Sequence, residues 1–318
     1  MLVTVTLNAA IDRTLTVPNF QRGLRHRASQ ALTLAGGKGI NVARALKAFG
    51  VPVVATGLTG GRTGTRIVEE LTHESILNDF VRIEGESRTS TAVVDPMTGS
   101  HTEINEWGPH VEPEELQMLL EKLLYLSADA EWVVFAGTLP RGVDDSFYAE
   151  AVKELSRRGV QCVLDSEGTA LRLGVEAEPF LVTPNQHEAE SLVGQEFSDE
   201  EDFLMALEAI AEMGSRNVVI SHEGGCYALL KQERKPHRFK ANIARIEPVS
   251  PVGSGDVLLA GFLAARRGGR SLEEALCQAV GAATASTLET GAGRFDPEQA
   301  VEFARQVEIS ELQPVAAS

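Results

Sequence analysis

Trp132-Val133-Val134-Phe135-Ala136 and Val160-Gln161-Cys162-Val163-Leu164 are two apolar runs of strand length with a helical pattern between them, and this unit decides the fold. Working outward, the same kind of run recurs at Val3–Leu7, Val53–Leu58, Phe180–Val182 and Val218–Ile220, with helical patterns between the runs. One intervening helix is legible in detail. Gly39–Phe49 carries Ile40, Ala43, Leu46 and Phe49 at i+3 spacing and stops at Gly50-Val51-Pro52. Strands alternating with helices imply an α/β fold whose central sheet is mostly parallel and covered on both faces.

Two stretches break the rhythm, Arg13–Leu34 and Ser87–Glu106, both rich in Thr, Val and turn residues. The second reads as a hairpin: Thr89–Val94, a turn over Asp95-Pro96-Met97-Thr98-Gly99, then His101–Ile104. Such strands form either a small second sheet that covers a site as a lid or edge strands of the main sheet.

At 318 residues, 43% of them hydrophobic, the chain has material for one large core. The 29 basic and 45 acidic side chains leave a net charge of −16, which opposes general attraction to nucleic acid or to an anionic membrane surface. An anionic substrate therefore requires locally concentrated cations. Cys162, Cys226 and Cys277 have neither metal-type spacing nor an even count, as expected in a reducing compartment. The N-terminus runs directly into a strand pattern without a basic leader, and no apolar run reaches the ~20 residues of a membrane helix. The expected location is cytoplasmic.

Four segments carry candidate chemistry. Ser250-Pro251-Val252-Gly253-Ser254-Gly255-Asp256 opens the apolar helix Val257–Ala265, so backbone N–H groups and the helix N-terminus face an incoming anion. Asp256 there is placed to take a proton from a hydroxyl as a phosphoryl group leaves ATP, or it only favours the helix start electrostatically. Ala35-Gly36-Gly37-Lys38-Gly39-Ile40-Asn41 brackets a lysine with glycines, allowing close backbone approach to a polyhydroxylated ligand. It is not a Walker A loop, and no Gly-x-Gly-x-x-Gly follows the first strand, which disfavours a dinucleotide-dependent dehydrogenase. Asp12 ends Asn8-Ala9-Ala10-Ile11-Asp12 and either accepts from sugar hydroxyls or forms a turn. Thr183-Pro184-Asn185-Gln186-His187-Glu188-Ala189-Glu190 gathers oxygen ligands suited to Mg²⁺, or simply starts a helix.

Taken in order, these motifs resemble ribokinase-type carbohydrate kinases of the PfkB family, on the branch of 1-phosphofructokinases and tagatose-6-phosphate kinases, from Val5 to about Leu288. The resemblance implies a ribokinase-like three-layer α/β/α fold with a small β-sheet lid. Its main domain would comprise residues 1–12, 35–86 and 107–310, its lid residues 13–34 and 87–106, and its tail residues 311–318. It implies ATP- and Mg²⁺-dependent phosphorylation of a ketohexose phosphate, foremost fructose 1-phosphate to fructose 1,6-bisphosphate. Tagatose 6-phosphate, fructose 6-phosphate and a non-catalytic sugar-phosphate binder are the alternatives.

Carried over, Asp256 is the base and Gly253, Ser254 and Gly255 form the backbone anion hole, with Gly253 and Gly255 also touching the nucleotide. Asp12, Gly37 and Asn41 contact sugar hydroxyls. Lys38, Arg25, Arg27 and Arg88 meet the substrate's own phosphate, the arginines reaching in from lid segments, and Thr138 of Ala136–Gly142 lies on the substrate side. Asn185 and Glu188 match the Asn-x-x-Glu element that organises Mg²⁺ through water, and Ser221 touches ATP. The sequence departs from the pattern at Ala9 for Pro, at Thr183 for Lys, and at Ser221-His222-Glu223-Gly224-Gly225-Cys226, where the usual glycines are displaced. Relatives also imply a homodimer formed through the lid.

Overall fold

The computed structural model describes residues 1–233 and 235–314. In chain order its strands are β1 (Leu2–Thr6), β2 (Ala10–Thr16), β3 (Gln30–Gly36), β4 (Val53–Gly60), β5 (Leu77–Asn78), β6 (Val81–Ile83), β7 (Arg88–Asp95), β8 (Ser100–Asn105), β9 (Trp132–Ala136), β10 (Gln161–Asp165), β11 (Leu181–Val182), β12 (Val218–His222), β13 (Gly225–Gln232), β14 (Lys235–Asn242) and β15 (Glu308–Leu312). The helices are α1 (Lys38–Ala48), α2 (Gly61–His73), α3 (Pro113–Leu126), α4 (Phe147–Arg157), α5 (Gly168–Val175), α6 (Gln186–Val193), α7 (Glu200–Met213), α8 (Ser254–Arg267), α9 (Leu272–Ser286) and α10 (Pro297–Ala304).

The large sheet runs β15-β14-β13-β12-β11-β10-β9-β1-β4-β5, with β6 also paired to β4. Every pairing from β5 through β12 is parallel, and those from β12 to β15 are antiparallel. Alternation along buried strands sends successive side chains to opposite faces. Leu2, Trp132, Val134 and Val163 join one apolar cluster with α1, α2, α8, α9 and α10. Val3, Val5, Val133, Phe135 and Leu164 join the other with α3 through α7. The three-layer arrangement follows directly, with the sheet as the middle layer.

A second sheet, ordered β3-β2-β7-β8, stands apart from the first. Here β2 pairs antiparallel with β3 and parallel with β7, while β7 and β8 form the expected hairpin. The two rhythm-breaking stretches thus build their own sheet and are not edge strands of the main one. It begins at Ala10 and closes at Gly36, slightly wider than the stretch 13–34.

Two features differ from the sequence expectation. The antiparallel strands β13 and β14 were not anticipated, and the start of the expected tail 311–318 belongs to β15, which pairs with β14 from Glu308↔Asn242 to Leu312↔Arg238. The tail residues 315–318 lie outside the described residues. No helix among the described residues is long and apolar enough to cross a membrane.

Candidate active site

A cleft of about 960 Å³ lies beyond the carboxyl ends of the parallel strands, the usual ligand position in such sheets. Its wall is built from Thr6 and Asn8 after β1, Gly137 and Thr138 after β9, Asp165 ending β10, and Thr183 and Asn185 after β11. The small sheet faces it from above with Arg88 and Ser90 of β7 and with His101, Glu103 and Asn105, alternate residues of β8. The N-termini of α1 and α8 enter from below.

Both of those helices start on a glycine with positive φ, Gly37 at 111° and Gly253 at 81°, and neither has a side-chain cap. The first-turn amides of a helix have no i−4 partner; at α8 Ser254 N donates to Pro251 O at 3.3 Å, and no side chain caps the end. A Cβ added at Gly255 would meet nothing within 4 Å, whereas one at Gly253 would come within 2.7 Å of Ala292 Cβ. Gly255 therefore leaves a cradle open to the cleft, and Gly253 is held tightly against the chain behind it.

Asp256, in the first turn of α8, is only 4% exposed. Its Oδ2 accepts a 2.8 Å hydrogen bond from Asn41 Nδ2. Burial and the neighbouring Asp165 push its carboxyl well above the usual carboxylate range, while Lys38 and Asn41 pull in the opposite direction. Asn41 had been expected to touch sugar hydroxyls; its amide is engaged by Asp256 on one side and by Arg44 Nη1 at 3.1 Å on the other.

Lys38 had been expected beside the substrate's own phosphate. It extends instead to Asp165 at 2.8 Å and Glu188 at 3.2 Å, because α1 aims its first side chain at the end of β10 and the start of α6. Burial alone would favour neutral Lys38, but Asp165, Glu188 and Asp256 outweigh it and hold the ammonium charged. Burial raises Glu188 as well, opposed by Lys38.

Asn185 caps α6. Its Oδ1 accepts from Glu188 N at 2.9 Å, and Glu188 Oε2 accepts from Asn185 N at 2.8 Å. The helix-start reading of Glu188 and its presence in the cleft are both correct, since Oε2 serves the cap and Oε1 faces Lys38. Ser221 of β12 forms a parallel bridge with Asn185 and lies where the main cleft meets a second hollow of about 520 Å³ that is lined by His222, Gly224, Ile243, Pro248 and Leu258.

On the opposite side, Asp12 of β2 is raised by burial and lowered by Arg88, Arg44 and the Gly37 amide. Arg88 begins β7, and its Nε donates to Asn8 O at 3.2 Å. Asn8 Nδ2 donates to Thr138 Oγ1 at 3.2 Å, tying the end of β1 to the loop after β9. Arg25 and Arg27 are not brought to the cleft. They are exposed on the β2–β3 loop, beyond the Thr16–Gln30 end of the sheet, while Asp12 sits toward the Ala10–Gly36 end.

The family model for pfkB family carbohydrate kinases matches residues 2–299. The chain belongs to that family. This kinase is 34% identical over 297 residues to the 1-phosphofructokinase of Bacillus subtilis, covering 93% of this chain and 96% of the relative. It is 31% identical over 314 residues to the tagatose-6-phosphate kinase of Staphylococcus epidermidis, covering 98% and 100%. A solved structure described as a possible 1-phosphofructokinase of Thermotoga maritima superposes with a TM-score of 0.88 at 28% identity, covering 98% and 100%. The kinase is accordingly a sugar phosphotransferase on a ribokinase-like fold, and membership implies ATP as the donor.

Three residues in or behind this kinase's cleft escaped the sequence reading. Asp165 follows Val160–Leu164 directly and ends β10 at the cleft. Arg44 is a charge on the buried face of α1, one turn after Ile40 and Asn41. Asn8 was quoted within its motif without a role of its own.

Proposed function

We propose that this kinase transfers the γ-phosphoryl group of ATP to a primary hydroxyl of a ketohexose phosphate, foremost fructose 1-phosphate. The observation that carries the reading is Asp256, buried at the uncapped start of α8 beside the open face of Gly255. The acceptor hydroxyl would give its proton to Asp256 while its oxygen forms the new P–O bond and the bond to the ADP oxygen breaks. Amides of Gly253, Ser254 and Gly255 would meet the charge that develops on the transferring group.

Asp12, Gly37 and Asn41 would set the sugar ring around that hydroxyl, with Thr138 on the same side and Arg88 as the cation for the substrate's own phosphate. The nucleotide would run from Gly253 and Gly255 past Asn185 and Ser221 into the second hollow. Thr183 stands where related sequences carry lysine, and Lys38 supplies the cation on that flank. Among the described residues no three acidic, His or Cys side chains cluster as a metal site. That donor set suits Mg²⁺, which typically binds one or two carboxylates together with substrate phosphates. Glu188, with Asp165 beside it, would hold the ion through water, and the ion would neutralise charge on the phosphates.

The deciding experiment is kcat/KM for fructose 1-phosphate, fructose 6-phosphate and tagatose 6-phosphate with MgATP. Fructose 1-phosphate is expected to lead by about 10-fold or more, within reach of a few differential contacts. A lead for either 6-phosphate reassigns the substrate, and no turnover with any of them overturns the reading. We also propose a cytoplasmic homodimer through the small sheet, where Ile104 of β8, Leu24 and Met97 of the connecting loops and Trp107 just after β8 are exposed. A monomer by light scattering at assay concentration would refute the dimer.

A further inference from the structure

Arg44 is buried in the middle of α1, away from the cleft surface, yet every one of its donors is engaged. A guanidinium has five N–H groups and no acceptor. Nη1 donates to Asn41 Oδ1 at 3.1 Å and to Ala292 O at 3.1 Å, Nη2 to Ala35 O at 2.7 Å and to Glu74 Oε1 at 2.8 Å, and Nε to Glu74 Oε2. Two of the five N–H groups make the ion pair with Glu74. The other three reach the Ala35 carbonyl beside Gly36-Gly37, the carbonyl of Ala292, whose Cβ packs on Gly253, and the amide beneath the base.

The last contact has a chemical consequence. The two ends of an asparagine amide have nearly the same shape, and only the partners decide which end is oxygen. A guanidinium can only donate, so the end of Asn41 that faces Arg44 must be its oxygen, and the end that faces Asp256 must be its N–H. A donated hydrogen bond favours the carboxylate of Asp256 over its acid form. With the amide reversed, its oxygen would face Asp256 and favour the protonated, inactive base.

We infer that Arg44 is a positioning residue for phosphoryl transfer, orienting the Asn41 amide so that it donates to Asp256 and tying the Ala35 backbone of the first glycine loop and the Ala292 segment behind Gly253 to the same guanidinium. This rests on the reading of Asp256 as the base. The charged and polar groups that face Asp256 are Asp165 from β10, Lys38 and Asn41 from α1, and Asp12 from β2, and the Arg44→Met change replaces none of the four.

The experiment is kcat and KM as functions of pH for the full-length kinase with MgATP and its best sugar phosphate. Arg44→Met is expected to lower kcat by about 100-fold, the cost of a misplaced catalytic geometry. Its acid limb should move to higher pH by about one unit, as for losing a hydrogen bond to a charged group. KM should stay close to that of the parent. A folded Arg44→Met enzyme whose acid limb stays in place overturns the inference, because a merely structural arginine would lower stability and leave that limb where it is.

Removing one partner of a buried ion pair can prevent folding, so Arg44→Met/Glu74→Met, which removes both charges, is measured alongside. The same limb shift is expected of it, and an unmoved limb counts equally against the proposal. Asp256→Asn separates the two levels. Parent-like turnover in that variant defeats the assignment of the base itself, whereas lost turnover with an unmoved limb in the Arg44 variants defeats only the role of Arg44.

Discussion

Helices α6 and α8 both start at the cleft, and they treat their first-turn amides in opposite ways. At α6 the Asn185 and Glu188 side chains satisfy each other's backbone N–H groups, so the end is closed by the chain itself. At α8 a left-handed glycine occupies the cap position, no side chain closes the end, and the next glycine opens onto free space. A closed end is a rigid post that fixes where a carboxylate stands. An open end has hydrogen-bonding capacity to offer a ligand. One cleft therefore contains a helix start committed to structure and another held in reserve for chemistry.

That contrast breaks most visibly at Asp256. Asp256→Asn should reduce kcat by ~10²–10⁴, the range for losing a positioned general base. The same change bears on stability. Asp256 is raised above its ordinary value in the folded state by burial and Asp165, so its stabilising contribution is complete at acid pH and is lost as pH rises through the raised value. Thermal melts of Asp256→Asn should accordingly match or exceed those of the parent at alkaline pH and show no gain at acid pH. A variant less stable than the parent at alkaline pH would contradict that sign.

The next effect in size belongs to the two glycines. Gly255→Ala places a methyl where the protein has no neighbour, so stability should change by less than about 1 kcal/mol, yet kcat/KM for ATP should fall about 100-fold if amides there meet the phosphates. Gly253→Ala must adopt φ near 81° and push on Ala292, so it should lose stability and activity together. Equal behaviour of the two variants in melting and kinetics would erase the distinction between an open and a packed glycine.

The smallest effects are expected at the closed end. Glu188→Gln keeps an acceptor for the Asn185 amide but removes the charge, so the Mg²⁺ concentration for half-maximal rate should rise about 10-fold with little change in melting. Asn185→Ala should cost about 1 kcal/mol through the lost cap. A Glu188→Gln enzyme with parent Mg²⁺ dependence would leave that carboxylate as a cap and nothing more.

The layered fold was legible because buried parallel strands are short apolar runs that helices separate. Part of what escaped has an exposure that hides the pattern. β15 reads Glu308-Ile309-Ser310-Glu311-Leu312, polar enough to pass for a tail, and is ordered by pairing with β14, a contact from across the sequence. Within the site, the glycine loops and Asp256 declared themselves through local chemistry. Arg44 and the lysine's true partners did not, since each depends on which distant chain end folds beside α1. Lys38 could be placed in the cleft from its glycine loop, but only the tertiary fold says that Asp165 and Glu188 reach it before any substrate phosphate does.

The position of Lys38 also bears on how the protein becomes a finished molecule. Two partly buried carboxylates facing each other would make folding wait for a cation. Here the chain brings its own, covalently attached, so the acidic wall of the cleft is neutralised at the moment the tertiary structure forms. Maturation is thereby uncoupled from ion supply: a newly made chain can reach its final shape without a free cation at that wall.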